Sequence, residues 1–202
     1  MMLPHDQDPR CADLNADLER WADRLAEIGR SAELSRMQSQ LQTADPVLSR
    51  SHFSPGHFTA SAFVLSPDRC QLLLILHKKL RLWLQPGGHI DPADVSWSAA
   101  ARREVEEETG LTDLSVEGEL IDIDIHEIPA ISREPAHLHF DVRMLFIAPT
   151  IEVQAGDDVA RAQWFSVRDL VSGGGILVDG VGTDESVLRV ARRALLLEQA
   201  SR

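Results

Sequence analysis

The chain has 202 residues, of which 44% are hydrophobic and 26% charged, and a formal net charge of −12. That length suits one domain with appendages, and that composition a soluble globular fold with a buried core. The acidic balance argues against a basic surface for duplex nucleic acid or anionic membrane. Two cysteines, Cys11 and Cys70, make neither a disulfide framework nor a zinc spacing.

No apolar run reaches transmembrane length and no signal-peptide core opens the chain, so the expected setting is a reducing cytoplasm. Residues 1–12 are expected to be loose. Leu14, Leu18, Trp21, Leu25 and Ile28 then recur at spacings of four, three, four and three, which predicts an amphipathic helix closed by Gly29. Ser31 is placed to cap a second helix, with Leu34, Met37 and Leu41 on one face and Asp45-Pro46 ending it. These helices form an expected N-terminal extension, residues 1–50, ahead of a main domain at 51–202. They would pack on that domain or on a second copy of the chain.

From His57 to Ser66 the pattern predicts a strand, turned by Pro67-Asp68-Arg69. Cys70 to His77 predicts a second, Leu-rich strand with Cys70 in the core. Trp83 anchors the stretch before Gln85-Pro86-Gly87-Gly88, a tight loop where backbone can approach a ligand closely. His57, Trp83 and His89 are the rings placed to stack on a ligand, with a core position the commoner reading for Trp83.

The densest chemistry follows, in Arg103-Glu104-Val105-Glu106-Glu107-Glu108-Thr109-Gly110-Leu111. Ala99, Ala100 and Ala101 favour helix before it, Asp94, Ser96 and Ser98 are candidate N-caps, and Gly110 suits a C-terminal stop. Glu104, Glu107 and Glu108 stand at i, i+3 and i+4, so one helical face carries three carboxylates that would repel one another. Such an oxygen-rich face suits Mg²⁺ or Mn²⁺. The Gly87 carbonyl is a further candidate oxygen, and Arg103 is placed to pair with Glu107. Glu106 points elsewhere.

Two later stretches alternate with period two. Asp122, Asp124 and His126 oppose Ile121, Ile123 and Ile125; His137, His139, Asp141 and Arg143 oppose Leu138, Phe140, Val142 and Met144. Each set lies on one sheet face. If the strands pair, their polar faces make a patch, either plain solvated surface or the lining of a substrate pocket. In the second reading Arg143 binds an anion and the histidines, with Asp141, contact phosphate, base, sugar or a second metal. Glu134 lies in one loop, and Asp157 with Asp158 beside it in another. A short helix at Val167–Val171, a break at Gly173-Gly174-Gly175 and a C-terminal helix from Thr183 or Asp184 complete the chain. Val187, Val190, Ala191, Ala194 and Leu195 make that helix's packing face, with Arg189, Arg192 and Arg193 solvated.

The segment Gly87–Leu111 resembles the signature of the Nudix hydrolases. From Arg103 to Leu111 every fixed position matches. The first half departs: after Gly88 and five intervening residues stands Asp94 where the family has Glu, and eight residues instead of seven then separate it from Arg103. The extra residue is expected in the loop or the first helical turn. The resemblance covers roughly Phe58 to Val171. It implies an α/β/α sandwich with a mixed central sheet, carrying the N-terminal helical extension. It implies Mg²⁺- or Mn²⁺-dependent hydrolysis of a phosphoanhydride in a nucleoside diphosphate linked to another group, and is compatible with a homodimer. Glu107 and Glu108 would be the principal ligands, Glu104 a ligand or base, and Arg103 their orienting partner. Glu134 or Asp157 would be the extra carboxylate that such enzymes draw from a loop outside the signature; the substrate contacts expected from the residues themselves are His89, His126, His137, His139, Asp141 and Arg143. The alternative is a Nudix-like module that senses nucleotide without turnover. An isomerase of this kind of fold would need a cysteine at the site, which a core Cys70 does not provide.

Overall fold

The computed structural model of the chain describes residues 8–131, 133–175 and 180–200. The first helix, α1 (Pro9–Arg20), starts earlier than expected. The Asp8 side chain accepts the Arg10 N–H, and Pro9 occupies the first helical turn, where a missing N–H costs nothing. Residues 8–12 are therefore ordered, whereas the rest of the stretch expected to be loose lies outside the described residues. The periodic run that follows is interrupted at Trp21, giving α2 (Ala22–Glu27) and then α3 (Ser31–Leu41). Ser31 is the first residue of α3 instead of its cap. The three helices pack on one another through Leu14, Leu18, Leu25, Met37 and Leu41, all buried.

Seven strands follow: β1 (Gly56–Leu65), β2 (Gln71–His77), β3 (Trp83–Leu84), β4 (Gly87–His89), β5 (Ser115–Ile128), β6 (His137–Ile147) and β7 (Val159–Ser166). They form one sheet in the order β3-β2-β1-β6-β5, with β4 on β1 and β7 on β2. All ten residues of β1 are buried, as a strand covered on both faces requires. β7 runs antiparallel to β2, from Gln71 opposite Ser166 to Ile75 opposite Ala162. The helices α4 (Trp97–Thr109), α5 (Val167–Ser172) and α6 (Glu185–Ala200) complete an α/β fold with a mixed sheet, flanking helices and a helical N-terminal region. Cys70 is exposed, in the turn before β2 and outside the core expected for it. Its N–H bonds the Asp68 carboxylate, and Arg69 beside it has a φ of 61°. No described helix is long and apolar enough to cross a membrane.

Contacts divide the chain into two units. The first comprises Met1–Ala60, Gly88–Ala100 and Asp122–Arg143, so the N-terminal helices share it with parts of the sheet. Phe58 and Phe140 stack within it at 5.3 Å. The second comprises Ser61–Gly87, Ala101–Ile121 and Met144–Arg202. Its core gathers Phe63, Leu72, Leu74, Trp83 and Phe165 with Val187 of α6. Trp83 is thus core and not a stacking platform. Asp184 caps α6 by accepting the Val187 N–H at 2.9 Å. Arg193, expected in solvent, donates to the Ile121 carbonyl at 2.8 Å.

Candidate active site

The carboxylate helix α4 is held at both ends. Ser96 Oγ accepts the Ala99 N–H at 3.1 Å, which makes Ser96 the N-terminal cap. At the other end Thr109 Oγ1 donates to the Val105 carbonyl at 2.6 Å, and Gly110 turns the chain with a φ of 70°. Ala100, Ala101, Val105 and Thr109 are wholly buried. The helix therefore presents its other side to solvent, and Glu106 is exposed there.

Within the second unit, Arg103 Nη1 donates to Glu104 Oε1 at 2.8 Å and to Glu107 Oε2 at 3.1 Å. One guanidinium thus holds two carboxylates. Glu108 points to the glycine loop, and the Gly87 N–H donates to its Oε2 at 3.1 Å. A side chain at Gly87 would meet Ser61, whose Oγ lies 2.4 Å from the position of a Cβ. Only glycine lets that backbone come close enough to reach Glu108. Burial pushes the Glu108 carboxyl up to about 8; the Gly87 N–H opposes this, and Glu104, Asp158 and Glu107 add their repulsion. Glu107 is the outermost of the three, with 58% of its side chain exposed against 15% for Glu104.

A loop after β6 closes on the end of α4. The Gln154 N–H reaches the Thr109 carbonyl at 2.9 Å, and the Gly156 N–H reaches that of Glu108 at 3.0 Å. These bonds satisfy carbonyls that a helix end leaves open. They also place Asp158, more than its expected neighbour Asp157, where its charge acts on Glu108. The Asp157 carbonyl instead accepts a hydrogen bond from Lys78. The signal was faint: two adjacent aspartates in a glycine-containing loop give no hint of which faces the helix.

Asp94 braces its own loop within the first unit. Its Oδ2 accepts the Asp91 N–H at 2.8 Å, and its carbonyl accepts from Arg10 at 2.7 Å. The polar faces of β5 and β6 sort into two groups. Arg143, 1% exposed, is enclosed by carboxylates: Asp141 at 2.7 Å, Asp122 at 3.1 Å and Asp124 at 3.4 Å. Asp141 also accepts from Thr59 Oγ1 at 3.0 Å. The guanidinium expected to bind a substrate anion is paired with Asp122, Asp124 and Asp141, of which Asp122 and Asp141 are buried. Removing one member of such a buried pair commonly costs about 3–5 kcal/mol, since the rest are left uncompensated.

The histidines form the other group. His137 and His139 lie against His57 of β1, with His89 and His126 alongside; ring centroids are 4.8 Å apart for His57–His139 and 5.5 Å for His126–His139. Burial depresses His57, brings His89 down to about 4 and drives His139 down to about 2, with neighbouring imidazoles adding to the effect. His126 pairs with Asp124 at 3.2 Å. Glu134, in the connection from β5 to β6, acts electrostatically on His57 and His89. A cavity of about 530 Å³ elsewhere in this unit, walled by residues that include Arg10, Cys11, Val47, Arg50 and Ile90, contains none of these histidines.

No curated protein matches the chain. Among solved structures, a NUDIX-family hydrolase from Clostridium perfringens is 27% identical, covering 70% of this chain and 97% of that one, with a TM-score of 0.49. An Ap4A hydrolase from C. elegans, solved as a binary complex, is 18% identical over 72% and 98%, with a TM-score of 0.47. A MutT protein from Methanosarcina mazei Go1 is 17% identical over 70% and 94%, with a TM-score of 0.50. The profile of the NUDIX domain matches residues 56–195, well over half the chain and all of the carboxylate helix, so the chain belongs to the Nudix hydrolase family.

Proposed function

We propose that this Nudix hydrolase cleaves a phosphoanhydride bond in a nucleoside diphosphate linked to another moiety, using Mg²⁺ or Mn²⁺ at Glu104, Glu107, Glu108 and the Gly87 carbonyl. One observation carries the reading. Glu108 is largely withdrawn from solvent beside Glu104, Glu107 and Asp158, and the guanidinium of Arg103 holds Glu104 and Glu107 in place. The site gathers four carboxyl groups, and its donors are all oxygen, which is what a hard divalent cation requires. Bound there, such a cation supplies charge neutralisation for the diphosphate and acidifies water.

The protein's own groups do the rest. Arg103 fixes the Glu104 and Glu107 carboxylates in place. The Gly87 N–H fixes one Glu108 oxygen and leaves the other for the cation. Glu104 serves as ligand or as the base that takes a proton from the attacking water. Asp158, or Asp157 beside it, supplies the extra acid from the loop, and Glu134 is the other candidate for that part. Attack at phosphorus expels a phosphate-bearing leaving group, with no covalent enzyme intermediate. The substrate is a small, nucleotide-derived diphosphate, and the carboxylate site involves neither membrane nor duplex nucleic acid.

The test is a panel of nucleoside diphosphate derivatives incubated with full-length protein and Mg²⁺ or Mn²⁺ in ¹⁸O-labelled water, with products identified by mass. Expected is metal-dependent cleavage that places ¹⁸O on one phosphate. Glu107→Gln and Glu108→Gln should each lower kcat by at least about 10²-fold, the loss typical of one preorganised electrostatic contact, with the fold intact. Nucleotide binding without any product would support the sensing module instead. Near-wild-type turnover in folded variants would remove these glutamates from the mechanism.

A further inference from the structure

The first unit carries a constellation that phosphoanhydride chemistry at the glutamates leaves unused. His57, His137 and His139 each offer a ring nitrogen, and these atoms lie within 4.8 Å of one another. His57 is 1% exposed and His137 4%. The tautomers of two of them follow from their partners. His57 Nδ1 lies 3.0 Å from the His52 carbonyl, and His137 Nδ1 lies 2.8 Å from the Pro135 carbonyl. A carbonyl oxygen only accepts, so both Nδ1 atoms carry the hydrogen and both Nε2 atoms carry a lone pair. His57 Nε2 is buried with no hydrogen-bond partner. A backbone carbonyl on one ring nitrogen, with the other bare, is the arrangement in which metal-ligating histidines are held.

We propose that His57, His137 and His139 form a binding site for a divalent transition metal, Zn²⁺ foremost. Three neutral imidazoles suit zinc, copper or nickel, whereas Mg²⁺ and Mn²⁺ prefer the oxygens of the glutamate helix. A tetrahedral zinc with Zn–N of about 2.0–2.1 Å needs ligand nitrogens roughly 3.3 Å apart. The three ring nitrogens, now within 4.8 Å of one another, must close by up to about 1.5 Å to reach that. Glu134 supplies negative potential at His57, which favours a cation there. Packing alone explains the cluster less well. The rings stack, His57 on His137 at 5.0 Å, yet a phenyl or leucyl side chain would fill that space without stranding a buried nitrogen. None of the three histidines belongs to the carboxylate site, so each stands or falls alone.

The test uses full-length protein freed of metal by a chelator. One equivalent of Co²⁺ should give a visible absorption band that a large excess of Mg²⁺ leaves in place and Zn²⁺ abolishes. In ring-nitrogen NMR of the wild type, Zn²⁺ should shift the Nε2 resonances of His57 and His137. His137→Ala and His139→Ala should each weaken Zn²⁺ binding beyond the roughly 10–100-fold that loss of an outer partner costs. A variant with Glu104→Gln, Glu107→Gln and Glu108→Gln together should bind Zn²⁺ like the wild type. Unmoved imidazole resonances under Zn²⁺, or a cobalt band that survives the histidine changes and vanishes with the glutamine ones, overturns the proposal. If a histidine variant does not fold, the wild-type ring shifts decide alone.

Discussion

Glu108 shows how one side chain couples the site to the stability of the protein. Its carboxyl is held at about 8, against an ordinary 4.5, chiefly by burial. Between those values the folded protein keeps a proton that the unfolded chain has released. Stability therefore falls as pH rises through that window, because the native state binds more protons than the denatured one. The metal-free protein should lose thermal stability from about pH 4.5 to 8, the reverse of a carboxylate held by a salt bridge. Glu108→Gln should flatten that slope, since an amide does not titrate. Added Mg²⁺ should raise the Tm most at the alkaline end, where a cation favours the charged carboxylate. Calorimetry of wild type and variant across the window checks this. An unchanged slope in Glu108→Gln would place the titrating group elsewhere.

At the scale of elements, α4 depends on the loop that meets its end. A Cβ at Gly156 would stand 1.9 Å from the Glu107 carbonyl oxygen, a backbone atom that cannot rotate away. Gly110 has open space, its nearest neighbour 3.8 Å away, and only its positive φ resists a side chain. Gly110→Ala should thus cost about 1–2 kcal/mol. Gly156→Ala should cost about 3 kcal/mol or more, as a forced displacement of packed backbone does. It should also lower turnover, because the loop bonds directly to the Glu108 and Thr109 carbonyls. Urea titrations of both variants check the ranking. The helix itself was readable in the sequence, since alanines, a serine cap, spaced glutamates and a closing glycine agree with one another. The loop was not, because its contacts join residues far apart in the chain. The start of α1 was masked because Pro9 reads as a breaker until Asp8 is seen as its cap. Cys70 was misplaced because the run of leucines after it hides where the turn ends. The alternation in β5 and β6 did put Asp122, Asp124, Asp141 and Arg143 on polar faces. Period two cannot say whether such a face meets solvent, and here these charges satisfy one another in the interior.

For the molecule as a whole, the open matter is how far residues 1–50 are an appendage. Helices α1 to α3 bury Leu14, Leu18, Leu25 and Met37 almost completely. Arg10 extends from α1 to hold the carbonyls of Asp91 and Asp94 at 2.9 and 2.7 Å, while Asp8 neutralises it at 2.6 Å. Contacts accordingly group Met1–Ala60 with Gly88–Ala100 and Asp122–Arg143. A helical extension anchored this way contributes to the unit it belongs to, so a chain of residues 51–202 should unfold at a lower urea concentration than the full protein. Arg10→Ala separates the anchor from the helices' bulk. It removes the two hydrogen bonds to those carbonyls, each worth about 1.5–3 kcal/mol at most, together with the pairing to Asp8. Partial exposure of Arg10 reduces that, and a net loss near 2 kcal/mol is expected. The leucines of α1 remain packed in this variant, so the unfolding transition should keep its cooperativity while its midpoint drops. If Arg10→Ala unfolds like the wild type and the truncated chain keeps the full midpoint, residues 1–50 merely cover the surface. If the truncated chain alone is destabilised, the apolar helical face carries the stabilisation and the guanidinium only sets the loop's position.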